Sequence, residues 1–186
     1  MTNLLASLPL RWLIAVVAFP IGGFIGHLVG GPAATIPAAL ISGVIAGAII
    51  GLGQGLALNL GLRTVALWMA ATGVGLALSL GVITAIIGQI DTTLDAVLLG
   101  AASGLAIGGG QAFLIVRQRL GNPWIWVGAS TCAWSIGWFV TSSIGVALAT
   151  GWPVYGVSGA VASQIITAIV LWRVMPRGEA AAPAAK

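Results

Sequence analysis

The sequence predicts an all-α membrane protein of six transmembrane helices, arranged as three parallel two-helix hairpin repeats. Hydrophobic residues make up 59% of the 186 residues and charged residues only 5%, whereas a typical soluble domain carries about 25% charged residues. Apolar runs of about 20 residues, the length that crosses a bilayer as a helix, recur along the chain. An internal repeat of glycines and glutamine indicates duplicated helical hairpins.

Six apolar segments follow one another, and each is predicted to form one helix. They run over about 12–29, 38–60, 65–88, 96–116, 124–149 and 154–173. Pro20 and the glycines after it predict a kink or local unwinding of the first segment near Pro20. A cleaved signal peptide is the alternative for that segment. We predict that it is retained, because the run is long for a signal and the first repeat needs it.

The basic residues set the predicted orientation. With six crossings, all seven fall on one side of the membrane: Arg11, Arg63, Arg117, Arg119, Arg173, Arg177 and Lys186. Because cytoplasmic loops are enriched in Lys and Arg, we predict a multi-pass protein of the cell (inner) membrane with both termini in the cytoplasm. The net charge of +4 does not indicate nucleic-acid binding, since the basic residues are scattered and form no stripe.

Four glycines of the second segment recur in the fourth with unchanged spacing: Gly43, Gly47, Gly51 and Gly53 correspond to Gly100, Gly104, Gly108 and Gly110. Gly43 and Gln54 correspond to Gly100 and Gln111, 57 residues later, and a weaker third copy centres on Gln164. All three units enter the membrane from the same side, so the repeats are parallel. Residues 1–175 are predicted to form a single domain. Its three repeats cover about 10–61, 62–120 and 121–175. Residues 176–186 are predicted to be a disordered cytoplasmic tail.

Glycines four residues apart lie near one face of a helix. The resulting stripe comprises Gly43, Gly47, Gly51, Gly55, Gly100, Gly104 and Gly108. Small residues allow helix backbones to approach closely in lipid, so we interpret the stripe as a helix-packing surface. The alternative is that it lines a pore or lets a ligand approach the backbone.

The glutamines share the face of the glycines. Gln54 precedes Arg63 by nine residues, which places it about 13 Å into the membrane, near the midplane. Two interpretations of Gln54, Gln111 and Gln164 are open. They clasp neighbouring helices through hydrogen bonds, or they form a ring of three amides that coordinates a neutral polar solute.

Few residues can carry chemistry. His27 is the only histidine and Cys132 the only cysteine. No metal site, cofactor or enzyme activity is therefore predicted. His27 is interpreted as an interfacial residue, with ligation of a pigment or metal as its alternative. Asp91 and Asp95 are interpreted as helix-end charges, and the alternative interpretation is that they bind a cation.

The tryptophans divide into two groups. Six near segment ends are predicted to be interfacial anchors: Trp12, Trp68, Trp124, Trp126, Trp152 and Trp172. Trp134 and Trp138 lie deeper, four residues apart on one face. They are interpreted as helix-packing bulk, with the stacking of a flat cofactor such as a quinone or carotenoid as the alternative.

The predicted length and helix count are similar to those of the substrate-binding subunits of energy-coupling vitamin transporters. Three two-helix repeats also resemble mitochondrial carriers, whose charged motifs the chain lacks. The first function hypothesis is a non-enzymatic, tightly packed component of the lipid bilayer that associates with itself or with other membrane subunits. The alternative is a permease or channel for a small neutral or weakly polar solute past the glutamines, which requires an open track between them.

Overall fold

The computed structural model describes residues 8–144 and 157–174, and the regular elements within them are all helical. The elements are α1 (Leu8–Ile14), a 3-10 turn (Ala15–Val17), α2 (Ala18–Gly30), α3 (Ile36–Ala57), α4 (Leu62–Ile87), α5 (Thr93–Arg117), α6 (Pro123–Ser143) and α7 (Val157–Val174). Four segments are long and apolar enough to cross a membrane: Leu8–Gly30, α3, α4 and α5. The chain is therefore a multi-pass helical membrane protein, while six crossings and the repeat arrangement stay predictions. The predicted end of the fifth segment, the start of the sixth and the tail over 176–186 lie outside the described residues.

The first segment is irregular one turn before Pro20 rather than at it. The helix tightens to a 3-10 turn at Ala15–Val17 and then continues through Pro20 as α2. Proline has no N–H, and its ring crowds the carbonyl four residues earlier, which here belongs to Val16. The segment still packs along its length, because Trp12 is 0% exposed and Gly22 faces the backbone of Ala46 on α3.

Two helices begin at equivalent threonines. The Thr35 hydroxyl accepts from the Ala38 amide at 3.4 Å at the start of α3. The Thr92 hydroxyl accepts from the Asp95 amide at 3.1 Å at the start of α5, and the Asp95 carboxylate accepts in return from the Thr92 amide at 3.0 Å. This second arrangement is a capping box. Thr35 and Thr92 are 57 residues apart, the interval that also separates Gln54 from Gln111.

The helices form a ring in which neighbours in sequence are neighbours in space. α3 packs between α2 and α4, α5 between α4 and α6, and α7 returns to α1. The most extensive interfaces are α3–α4 and α5–α6, so the tightest packing joins successive predicted hairpins rather than the two helices of one hairpin. α7 contacts α1 much more than α2, which closes the ring at the end where Trp12 lies.

The interior of the ring contains two apolar clusters along its axis. The inner cluster, at the end that carries the basic loops, includes Trp12, Trp68, Leu114, Ile115, Trp126 and Leu171. The outer cluster comprises Ala46, Ile50, Leu76 and Ile107, with Phe19, Leu80 and Trp134 packed against it. The outward faces are apolar as well; Leu28 and Phe113, for example, are 70% and 63% exposed. Such faces suit contact with lipid rather than water.

Candidate functional site

The glycine stripe of α3 lies against the backbone of α4. A Cβ atom added at Gly43 would lie 2.6 Å from the Ala77 Cα, and one at Gly51 would lie 2.8 Å from the Met69 Cα. The other stripe glycines of this helix face α4 too: Gly47 and Gly55. At Gly43 and Gly47 even a methyl group would collide with the backbone of α4, so the two backbones are in close contact there.

The stripe of α5 makes the same kind of contact with α6. A Cβ atom at Gly100 would lie 2.8 Å from the Ser135 Cα, and one at Gly104 would lie 2.5 Å from the Thr131 Cα. Gly108 also faces α6. Helices of the same chain thus occupy both stripes, and neither stripe is a free surface for a second copy or another subunit.

The three glutamines meet inside the ring. Gln54 Nε2 donates to Gln164 Oε1 at 3.4 Å, and Gln111 Nε2 donates to Gln54 Oε1 at 3.4 Å. The side chains of Gln54, Gln111 and Gln164 are 5%, 1% and 1% exposed. Because Gln54 contacts both of the others at hydrogen-bond distance, no solute fits between it and either neighbour. We call these three residues the glutamine layer.

The sequence-based depth of Gln54 assumed a helix that continues to Arg63, and that assumption is wrong. α3 ends at Ala57, and the chain has already turned before it reaches Arg63. Gln54 therefore lies in the last turn of its helix, about 4.5 Å from the end at 1.5 Å per residue. Gln111 is six residues from the end of α5 at Arg117. In these two helices the glutamine layer is displaced from the middle toward the end with the basic loops.

Trp68 and Trp126 are buried partners of the glutamines rather than interfacial anchors. Trp68 Nε1 donates to Gln54 Oε1 at 3.2 Å, and Trp126 Nε1 donates to Gln111 Oε1 at 2.9 Å. The anchor prediction is wrong for them because a buried amide oxygen needs a donor, and an indole N–H supplies one. Gln111 Nε2 also donates to Thr72 Oγ1 at 2.9 Å.

The anchor prediction is wrong for Trp12 too. Its Nε1 donates to Thr167 Oγ1 at 2.9 Å, and its carbonyl accepts from Gln164 Nε2 at 3.0 Å. The Trp126 ring lies 5.9 Å from that of Trp12 and 6.0 Å from that of Trp68, measured between centroids. The three indoles thus close the inner side of the glutamine layer. Two predicted anchors, Trp124 and Trp172, lie on the surface of the ring and are 80% and 50% exposed. Trp152 is not among the described residues.

A cavity of about 240 Å³ occupies the outer half of the ring. Its floor includes Ile50 and Leu76 of the outer cluster. Its walls carry Phe19, Trp134 and Trp138, and the Phe19 and Trp134 rings are 5.7 Å apart between centroids. Trp134 and Trp138, predicted to share a face of α6, therefore line a space large enough for a ligand.

The polar groups of the cavity are few. Ser42 is committed to the backbone, since its hydroxyl donates to the Gly26 carbonyl at 3.1 Å. His27, Gln89 and Asp91 line the cavity at its outer end, and no hydrogen bond joins their side chains to another residue of the ranges 8–144 and 157–174. Across the same ranges, no three His, Cys, Asp or Glu residues are close enough to hold a metal ion.

Sequence reasoning singled out His27, Asp91, Trp134 and Trp138 but did not place them together. They come from α2, the α4–α5 loop and α6, and no spacing pattern connects these elements. Gln89 gave no signal at all, because a glutamine in a loop is ordinary. Comparison with protein-family models, curated proteins and solved structures gave no match.

Proposed function

We propose that this protein is a non-enzymatic integral membrane protein that binds a small, mostly apolar molecule in its outer cavity. The observation that carries the proposal is the cavity itself. It measures about 240 Å³, is walled by aromatic and aliphatic side chains, and has at one end three polar side chains that bond to no other described residue. Binding sites for small molecules are typically concave and mostly apolar, with a few polar groups that orient the ligand.

The volume of the cavity suggests the size of the ligand. An apolar cavity of about 150 Å³ takes up benzene. The cavity here is larger, about 240 Å³, so it suits a body of about two fused rings. The described lining of the cavity offers one imidazole and one carboxylate, so few groups there could act as a general acid or base. This scarcity supports binding rather than turnover.

The glutamine layer argues against a permeation path in this conformation. The amides are engaged with one another and with indoles, so the cavity ends at the outer cluster and the layer beneath it. Association with other membrane subunits stays a second hypothesis, but the glycine stripes no longer support it. If both termini lie in the cytoplasm, as the basic residues predict, the cavity opens on the opposite side of the membrane. A C-terminal reporter that is active only outside the cytoplasm should then give no signal.

A cavity-filling substitution tests the proposed function. Gly23 lines the cavity, and a Cβ atom there would meet no atom within 4 Å. In Gly23→Phe the ring is expected to occupy the cavity without displacing a helix. The probe is naphthylmethanol, a neutral two-ring alcohol, added to protein in phosphatidylcholine nanodiscs, and bound probe is counted by native mass spectrometry. We expect saturable binding to the unaltered protein and at least a ten-fold loss in Gly23→Phe.

Gly109→Phe is the matched control. Gly109 is exposed on α5, also has no atom within 4 Å of an added Cβ, and does not line the cavity. It adds the same ring, so partition of the probe into lipid is equal in the two variants. Equal binding by both variants, or no saturable binding to the unaltered protein, would overturn the proposal. Thermal unfolding of both variants verifies that each is folded.

A further inference from the structure

We propose that the ligand carries a positive charge at the end of its apolar body, and that Asp91 at the cavity rim selects that charge. This inference rests on the proposed function, since it concerns the occupant of the same cavity. The two ends of the cavity differ chemically: its floor is aliphatic, and the polar side chains of His27, Gln89 and Asp91 lie at its outer end. A molecule with an apolar body and a single polar head therefore has one favourable orientation, with the head outward.

The charge of that head follows from the charges around the rim. Among the described residues that line the cavity, Asp91 is the only Asp or Glu, and none is Lys or Arg. The sequence reinforces this asymmetry, because the basic residues all belong to the opposite end of the ring or to the C-terminal tail. The connection over 145–156 contains no charged residue. An anionic head would approach a carboxylate with no counter-charge, whereas a cationic head would be attracted and steered.

The neighbouring side chains accept a cation as well. A carboxylate only accepts hydrogen bonds, and the Gln89 amide oxygen accepts too, so an ammonium head finds acceptors at the rim. Trp134 and Trp138 also line the cavity, and an indole face turned toward the ligand would attract a positive charge, because the face of an aromatic ring is negative. The structure thus assigns a cationic amphiphile with a planar apolar body to the cavity.

Three probes of one shape test this inference: naphthylmethylamine, which is cationic, naphthylmethanol, which is neutral, and naphthoate, which is anionic. Dissociation constants are measured in nanodiscs of neutral phosphatidylcholine, and only binding that Gly23→Phe removes is counted. We expect the amine to bind more tightly than the alcohol, and naphthoate most weakly. Asp91→Asn is expected to reduce the preference for amine over naphthoate by about two- to five-fold, as for a partly exposed charge pair.

Asp95→Asn is the charge-matched control. Asp95 lies four residues from Asp91 at the same end of the ring but does not line the cavity. It removes the same formal charge, so its preference for the amine should stay close to that of the unaltered protein. A preference that Asp91→Asn leaves unchanged, or that both variants reduce equally, overturns the role of Asp91. If naphthylmethanol binds and the amine has no advantage over naphthoate, the charge inference fails while the proposed function stands; if no probe binds, the proposed function fails.

Discussion

A buried amide in a membrane protein needs hydrogen-bond partners, and Gln111 makes the shortest hydrogen bonds in the glutamine layer. It donates to Thr72 and accepts from Trp126, both at 2.9 Å, and it reaches Gln54 at 3.4 Å. Leaving a buried donor without an acceptor is costly, whereas the hydrogen bond itself contributes modestly. The contributions of Trp126 and Gln111 to stability are therefore interdependent, because replacing either residue removes a hydrogen-bond partner of the other.

Gln111→Leu should destabilise the protein by about 1–2 kcal/mol, because it leaves the Trp126 N–H without its acceptor. Combined with Trp126→Phe, the two costs should be less than additive by about 0.6–1.7 kcal/mol, from the average to the maximum of coupling energies between membrane helices. The measurement is reversible unfolding in mixed micelles of a mild detergent and dodecyl sulfate.

Gln118→Leu is the control for this cycle. Gln118 follows α5, and its only side-chain hydrogen bond among the described residues is to Thr64 at 3.4 Å. We expect a change within about 0.5 kcal/mol, as for most surface substitutions. Fully additive costs for Gln111→Leu and Trp126→Phe would contradict the proposed interdependence.

At the scale of the helix, glycine position decides how closely two backbones approach. Gly104 and Gly109 lie on the same helix, but an added Cβ atom meets the Thr131 backbone at Gly104 and open space at Gly109. Replacing glycine by alanine changes helix propensity equally at both positions. Any difference between their effects on stability therefore reports the contact with α6. The same logic explains why the tightest interfaces follow the two glycine stripes.

Gly104→Ala should cost about 1–3 kcal/mol of stability, because α5 and α6 must separate to admit the methyl group. Gly109→Ala should cost nothing, and the better helix propensity of alanine should favour it slightly. Both variants are compared by the same micelle unfolding experiment. Equal stability of the two would show that the contact between α5 and α6 is not limiting.

At the scale of the whole molecule, the ring is blocked on one side and hollow on the other. The indoles of Trp12, Trp68 and Trp126 and the glutamine layer fill the inner half, while the outer half contains the cavity. An asymmetric interior of this kind suits a molecule that holds a ligand from one side. It does not suit a continuous pore.

Vesicles that contain the purified protein should therefore take up glycerol no faster than protein-free vesicles of the same lipid. The physical reason is that the amide–amide contacts of 3.4 Å leave no passage between Gln54 and its neighbours. Stopped-flow light scattering after an osmotic step measures this rate. Faster glycerol entry that Gln111→Leu abolishes would instead support the permease hypothesis.

The sequence by itself determined the features that depend on local composition and period. These are the helical membrane class, most helix boundaries to within three residues, the shared face of the glycines and glutamines, and the charge separation between the two ends. Two predictions from local sequence were wrong. Tryptophans near segment ends suggested interfacial anchors, and the position of Arg63 suggested a helix longer than α3, which ends at Ala57.

Only the tertiary structure decided which helix faces meet on the common axis. It brought Gln54, Gln111 and Gln164 within reach of one another and turned Trp68 and Trp126 inward as their donors. It also left the outer half of the ring hollow. The physical reason is that a single helix sets only the direction of its own side chains. Contacts between residues as remote as Trp12 and Thr167 depend on how all the helices rotate and close around the axis.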